Sequence, residues 1–200
     1  MIKKAATGIS GFDELTGGGL PRGRVTLVEG STGTGKTLIA LQSLVHGVRN
    51  LNEPAVFVSF EEHSDRIKIN AEEFGWQLNN LSEDELSFVN CQPSVDLIQS
   101  GSFDLGGLLA GLGAIVDKIG AKRVVLDAVD MLLAFLPDQM AVRKEVFRLH
   151  AWLLERELTA IITTKRQHSG NVYSPTDLDF MEYMVDSAIR LRQEVIEGVS

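Results

Sequence analysis

Gly30-Ser31-Thr32-Gly33-Thr34-Gly35-Lys36-Thr37 fits the pattern G-x-x-x-x-G-K-[ST], and its flanks give the match a physical meaning. Before it runs Arg24-Val25-Thr26-Leu27-Val28-Glu29, an apolar strand. After it, Leu38 to Val48 carries apolar residues at 38, 41, 45 and 48, the spacing of one helix face. The order is therefore strand, glycine loop, helix. Glycines let the backbone turn tightly, so that its N–H groups converge on an anion at the positive end of the helix. In such a loop Lys36 reaches the β- and γ-phosphates of a nucleoside triphosphate, and the Thr37 hydroxyl holds Mg²⁺. Gly30 to Thr37 is the candidate binding segment for ATP.

Outward from this loop, strand and helix patterns alternate, which predicts an α/β fold with a mainly parallel sheet and helices on both faces. The strands are expected at Val25–Val28, Ala55–Phe60, Leu86–Val89, Arg123–Asp127, Thr159–Thr164 and Val185–Leu191. Helices are expected at Lys36–Val48, at Ser64–Phe74 with Ile67, Ile69 and Phe74 among its apolar positions, at Leu105–Ile119, and at Val142–Leu154. The third of these carries Gly106, Gly107, Gly111 and Gly113, each costing about 1 kcal/mol against Ala, so either close packing compensates or the segment moves. Lys165 to Asp179 is polar and too long for a simple connection, which suggests a functional segment. Glu197-Gly198 reads as a hairpin turn. No repeat or linker interrupts residues 1–200, which read as one domain.

A phosphate loop signals nucleotide binding; hydrolysis also requires an acid near Mg²⁺ and a group that orients water. Asp127 ends a buried strand and is the candidate metal acid beside Thr37, with Asp130, three residues farther on, as the weaker choice. Glu61 and Glu62 directly follow the second strand, at the sheet edge where ligands bind in parallel sheets, and are the candidate water-activating pair. With Lys36 they make up the expected catalytic set. His63 follows them, but a lone loop histidine is better read as solvated. Thr163 and Thr164 end the fifth strand, where one hydroxyl either meets the γ-phosphate or its water or satisfies backbone groups. Lys165, Arg166 and His168 either contact a neighbouring subunit's phosphate, line a pore or form a solvated basic turn.

Composition narrows the classes. With 44% hydrophobic and 23% charged residues the chain is ordinary for a soluble globular protein, and its net charge of −8 disfavours a broad nucleic-acid face. Cys91 is the only cysteine, so there is no disulfide framework or cysteine zinc site. No window approaches the ~18 apolar residues of a membrane span, and Met1-Ile2-Lys3-Lys4 does not open a signal sequence, which points to the cytoplasm.

The whole pattern adds a resemblance. Thr7-Gly8-Ile9-Ser10-Gly11-Phe12-Asp13-Glu14-Leu15-Thr16-Gly17-Gly18-Gly19-Leu20-Pro21-Arg22-Gly23 resembles the lead-in of KaiC-type ATPases in the RecA/RadA/DnaB superfamily. Ser59-Phe60-Glu61-Glu62, Val124-Val125-Leu126-Asp127 and Ile162-Thr163-Thr164 continue it over nearly the full length. The resemblance implies a RecA-like P-loop NTPase core, ATP with Mg²⁺, and a ring-shaped homo-oligomer, usually a hexamer, with ATP between subunits. It also implies that the paired glutamates, here Glu61 and Glu62, act in hydrolysis.

Two departures qualify these implications. The family's second domain autophosphorylates on an adjacent Ser–Thr pair, and the corresponding Leu178–Asp186 stretch has none, Ser174 and Thr176 reading as loop residues. An ATPase without autokinase activity is therefore expected. The family also continues into a strand whose Lys and Arg reach the neighbour's ATP, and this sequence stops at Ser200 before it. Residues 1–200 are accordingly expected to bind ATP, associate weakly and hydrolyse slowly. The leading reading is a KaiC-like ATPase that drives conformational change of an oligomer in signalling or timing, with an unnamed protein partner. The alternatives are a RadA/RecA-like DNA-dependent ATPase and a nucleotide-gated scaffold with little turnover.

Overall fold

Six apolar runs pair side by side in a computed structural model that describes residues 3–92, 104–165 and 178–194. They are β3 (Val25–Gly30), β4 (Ala55–Ser59), β5 (Leu86–Asn90), β6 (Arg123–Asp127), β7 (Thr159–Lys165) and β8 (Ser187–Leu191). All pair in parallel, in the order β5-β4-β6-β7-β3-β8. Because side chains alternate along a strand, each central strand feeds two cores. Val124 and Leu126 of β6 face one layer, and Val125 faces the other.

Helices Lys36–Leu51 and Ser64–Glu72 cover the Val125 face, burying Leu41, Leu44, Val48 and Ile67. Helices Leu105–Ile119 and Gln139–Glu155 cover the opposite face with Leu109, Leu112, Val146, Leu149 and Leu153. This is the α/β core with helices on both faces that the alternation predicted, and it agrees with the RecA-like core that the resemblance implied. Among the described residues, no helix is long and apolar enough to cross a membrane.

The differences from expectation are local. Phe60 lies beyond the end of β4, buried beneath the turn that carries the glutamates. The helix after them ends at Glu72 rather than Phe74, and of the three apolar positions named for it only Ile67 is buried; Ile69 is 69% exposed and Phe74 52%. It packs beside edge strand β5, so a single stripe reaches the core, and Phe74 stacks on Trp76 instead. In the glycine-bearing helix, a Cβ on Gly106 would stand 2.7 Å from Nη2 of Arg148, the movable end of a half-exposed side chain, and one on Gly111 would meet nothing within 4 Å, so close packing does not require either glycine. The expectations for Arg166, His168, Ser174, Thr176 and the Glu197-Gly198 turn lie outside the described residues.

The lead-in segment forms a two-stranded antiparallel ribbon, β1 (Lys4–Ala5) with β2 (Leu20–Pro21). Asp13 closes it by accepting from the Thr7 and Gly8 N–H groups at 3.0 and 2.9 Å and from the Thr7 hydroxyl at 2.7 Å. Burial raises the Asp13 carboxyl, but the hydrogen bonds from Thr7 and Gly8 prevail and hold it below the ordinary aspartate range. Beneath the ribbon, Arg123 is 1% exposed and is held by Glu53 at 2.6 Å and by the carbonyls of Ala6 and Ser43 at 2.7 and 2.9 Å. Arg22 shares the same Glu53 carboxylate.

Candidate functional site

The strand order decides which residues meet. β7 lies between β3, which carries the glycine loop, and β6, which ends in Asp127. The carboxyl ends of β3, β4, β6 and β7 therefore open into one crevice, the usual ligand position in parallel sheets. A cleft of about 420 Å³ occupies it, lined by Thr32, Gly33, Lys36, Thr37, Glu61, Glu62, Arg66, Asp127, Ala128, Thr163 and Lys165. Lys36, Thr37, Glu61, Glu62 and Asp127 thus line one cleft, and Asp130, the weaker choice of acid, is not among its lining residues. Gly30, Ser31, Thr34 and Gly35 complete the loop around it, with Thr34 Oγ1 donating to the Ser31 carbonyl at 2.8 Å.

The loop takes its shape from left-handed backbone at Gly33 (φ 81°) and Gly35 (φ 87°), conformations that a side chain disfavours. Gly35 precedes the Lys36–Leu51 helix, and no side chain caps that end. The first helical N–H groups are left to an outside acceptor, which is the physical basis of anion binding at such termini. Lys36 Nζ donates to the carbonyls of Gly30 and Ser31, both at 2.9 Å. Burial pulls its ammonium below the ordinary lysine range, against the pull of Asp130 and Asp127. A phosphate would restore to this cation the solvation that burial removes.

Thr37 Oγ1 donates to the Asp127 carboxylate at 3.1 and 3.3 Å, and Thr163 Oγ1 donates to the same carboxylate at 2.6 Å. Asp127 is 5% exposed, and burial raises its carboxyl above the ordinary range despite both hydroxyls. Among the described residues, no group of three His, Cys, Asp or Glu side chains could hold a metal ion. A hydroxyl and a single carboxylate make a hard-oxygen donor set that fits Mg²⁺, which keeps waters and takes its other ligands from substrate phosphates.

Glu61 and Glu62 diverge towards different cations. Glu61 Oε1 lies 2.5 Å from Lys165 Nζ, while Glu62 Oε1 lies 3.4 Å from Arg66 Nε one helical turn on. The Glu62 carbonyl is fixed by the Ser59 hydroxyl and by Gln92 Nε2 at 2.9 Å. His63 stands apart from the cleft as the cap of the next helix, its Nδ1 accepting from Asp65 N–H at 3.4 Å. Thr163 lines the cleft and Thr164 does not, although both are buried. Asp130 accepts from the Lys165 N–H at 3.1 Å and so pins the end of β7. Cys91 is half-buried, and burial pushes its thiol up.

Arg66, and the links Thr163–Asp127 and Lys165–Glu61, did not emerge from the sequence. Arg66 had a local signal, an opposite charge four residues from Glu62. The other two join segments 36 and 104 residues apart and depend on the strand order.

The family described as "ATPase: KaiC" matches residues 5–200. The chain is 40% identical over 199 residues to the circadian clock protein KaiC2 of Synechocystis sp., covering 98% of this chain and 34% of that protein. It is 38% identical over 200 residues to the circadian clock oscillator protein KaiC of Parasynechococcus marenigrum, covering 99% of this chain and 38% of that one. It is 39% identical over 201 residues to the KaiC of Nostoc sp., covering 98% and 38%. The chain therefore spans little more than a third of the length of these curated relatives.

Proposed function

The chain belongs to the KaiC family of ATPases, and from that premise we propose that its cleft binds ATP with Mg²⁺ and hydrolyses the γ-phosphate. The observation that carries this reading is the Thr37–Asp127–Thr163 chain of hydrogen bonds, set in one cleft with the phosphate loop and two glutamates. The uncapped helix end and the half-buried Lys36 bind the phosphates; Lys36 exchanges the Gly30 and Ser31 carbonyls for phosphate oxygens. Thr37 and Asp127 would hold Mg²⁺, which neutralises charge on the β- and γ-phosphate oxygens when bound. One carboxylate of the Glu61–Glu62 pair orients a water and takes its proton. The water oxygen bonds to the γ-phosphorus as the bond to the ADP oxygen breaks.

Because the relatives are named as clock proteins, we extend the proposal to a cytoplasmic homo-oligomer, a hexameric ring, in which turnover drives conformational change in signalling or timing. One further reading draws on a specific observation. Both glutamates are engaged by cations, Lys165 and Arg66, which favours a nucleotide-gated scaffold with slow turnover. Phosphate release from Mg·ATP separates the two. Turnover that disappears in Glu61→Gln with Glu62→Gln supports the ATPase, and binding with no turnover in the parent supports the scaffold.

A further inference from the structure

Lys165 is the last residue of β7 and pairs across the sheet with Gly30, the first residue of the glycine loop. Its backbone N–H is fixed by Asp130 at 3.1 Å. From this anchor the side chain passes the end of β6 and reaches Glu61, beyond β4, with Nζ 2.5 Å from Oε1. The ion pair thus bridges the cleft beside Asp127, and both partners line it with Lys36 and Thr37.

The pair is exposed enough to exchange partners. The Lys165 side chain is 32% exposed and that of Glu61 43%, and ion pairs of this kind contribute little net stability. A lysine ammonium is a compact charge on a flexible stem with three donors, able to turn to a stronger anion without moving its backbone. A γ-phosphate is such an anion, carrying more negative charge than a carboxylate. The hydrogen bond that Lys165 donates to Glu61 raises its ammonium above the ordinary lysine range, so the cation is charged at neutral pH when the phosphate arrives.

We propose that Lys165 is a γ-phosphate-contacting residue supplied in cis, which a bound triphosphate draws away from Glu61, freeing that carboxylate to orient water. The inference rests on the ATPase reading above and adds a second cation from the same chain to that of Lys36. It also makes Lys165 discriminate triphosphate from diphosphate, because ADP leaves the ion pair intact. A residue that merely restrained Glu61 would not distinguish the two nucleotides.

The test is calorimetric titration of the 200-residue chain with ATP and with ADP, each with Mg²⁺, for the parent, Lys165→Met, Lys165→Arg and Glu61→Gln. Lys165→Met should weaken ATP binding about tenfold or more, as expected for one lost charge-assisted hydrogen bond, and leave ADP binding unchanged. Lys165→Arg should restore most of the loss. Glu61→Gln, which releases the ammonium, should tighten ATP binding without affecting ADP; this variant keeps the test informative if Lys165→Met does not fold. Equal losses for ATP and ADP in Lys165→Met, or ATP binding unchanged or weakened in Glu61→Gln, overturn the role of Lys165 and leave the ATPase reading standing. A parent that binds neither nucleotide overturns both.

Discussion

Thr163, at the end of β7, donates a 2.6 Å hydrogen bond to Oδ1 of Asp127 at the end of β6, and its oxygen accepts the Ala128 N–H at 2.7 Å. One hydroxyl thus fixes the acid and the residue after it. Ala128 is buried and adopts a left-handed backbone (φ 64°), which an alanine does not take without support. Thr163→Val keeps the shape of the side chain but orphans the Ala128 N–H. A buried donor left without a partner costs about 1–3 kcal/mol, so this variant should melt at a lower temperature and Thr163→Ser should not. Thermal unfolding of the two variants checks this; equal melting temperatures would remove Thr163 from the account.

Glu61→Gln together with Glu62→Gln should leave ATP bound and slow phosphate release by about 10²–10⁴-fold, the usual size of base and water-positioning effects. Because the two carboxylates are held by different cations, the single variants should not be equivalent. Single-turnover phosphate release at saturating ATP is the measurement. Unchanged rates in the double variant would make the pair an acidic turn and nothing more.

Gly47→Ala should destabilise the fold, against the normal preference for alanine within a helix. A Cβ at Gly47 would lie 2.4 Å from Nε of the buried Arg123, whose contacts with Glu53 and Ser43 leave it no room to withdraw. Overpacking of this kind costs about 1–3 kcal/mol, more than the ~1 kcal/mol that helix propensity returns. Chemical denaturation gives the sign directly, and a stabilised variant would show that Arg123 can shift.

Stability should also fall in acid through Glu53. Burial raises its carboxyl, but hydrogen bonds from Arg123 and Arg22 outweigh burial and hold it below the ordinary value of 4.5. A depressed carboxyl contributes stability that is fully present above the unfolded pKa and is lost as pH falls through the folded one. Glu53→Gln should therefore be destabilised at pH 7, by about 3–5 kcal/mol if Arg123 is left buried without its ion pair, and the deficit should shrink below pH ~4. Melts of parent and variant from pH 7 to pH 3 test this; a constant deficit would contradict it.

The sheet was legible in the sequence because its central strands are short, mostly apolar runs between turn residues, and the phosphate loop because its glycines and Lys36-Thr37 stand at a fixed spacing. Asp127 and the glutamates were legible for a related reason, since a charge ending an apolar strand marks the functional edge of a parallel sheet. The partnerships were not legible. Thr163 meets Asp127 only because β7 lies beside β6, and Lys165 meets Glu61 only because β4 lies on the far side of β6. Strand order is a property of the packed layers and leaves no periodic trace. The helix that begins at Ser64 was legible, but not which of its apolar residues are buried: at the sheet edge only the stripe containing Ile67 finds a core.

The measurement that bears most directly on the central claim is titration of the parent and Lys36→Ala with ATP and Mg²⁺, followed by calorimetry. Lys36 is held at the loop by two carbonyls and is destabilised as a cation by burial, so its replacement removes the charge that faces the phosphates while leaving the fold intact. The parent should bind one ATP per chain, more weakly when Mg²⁺ is chelated, and the folded variant should show no measurable saturation. Equal ATP affinity in the parent and in folded Lys36→Ala would place the nucleotide elsewhere and contradict the account at its base.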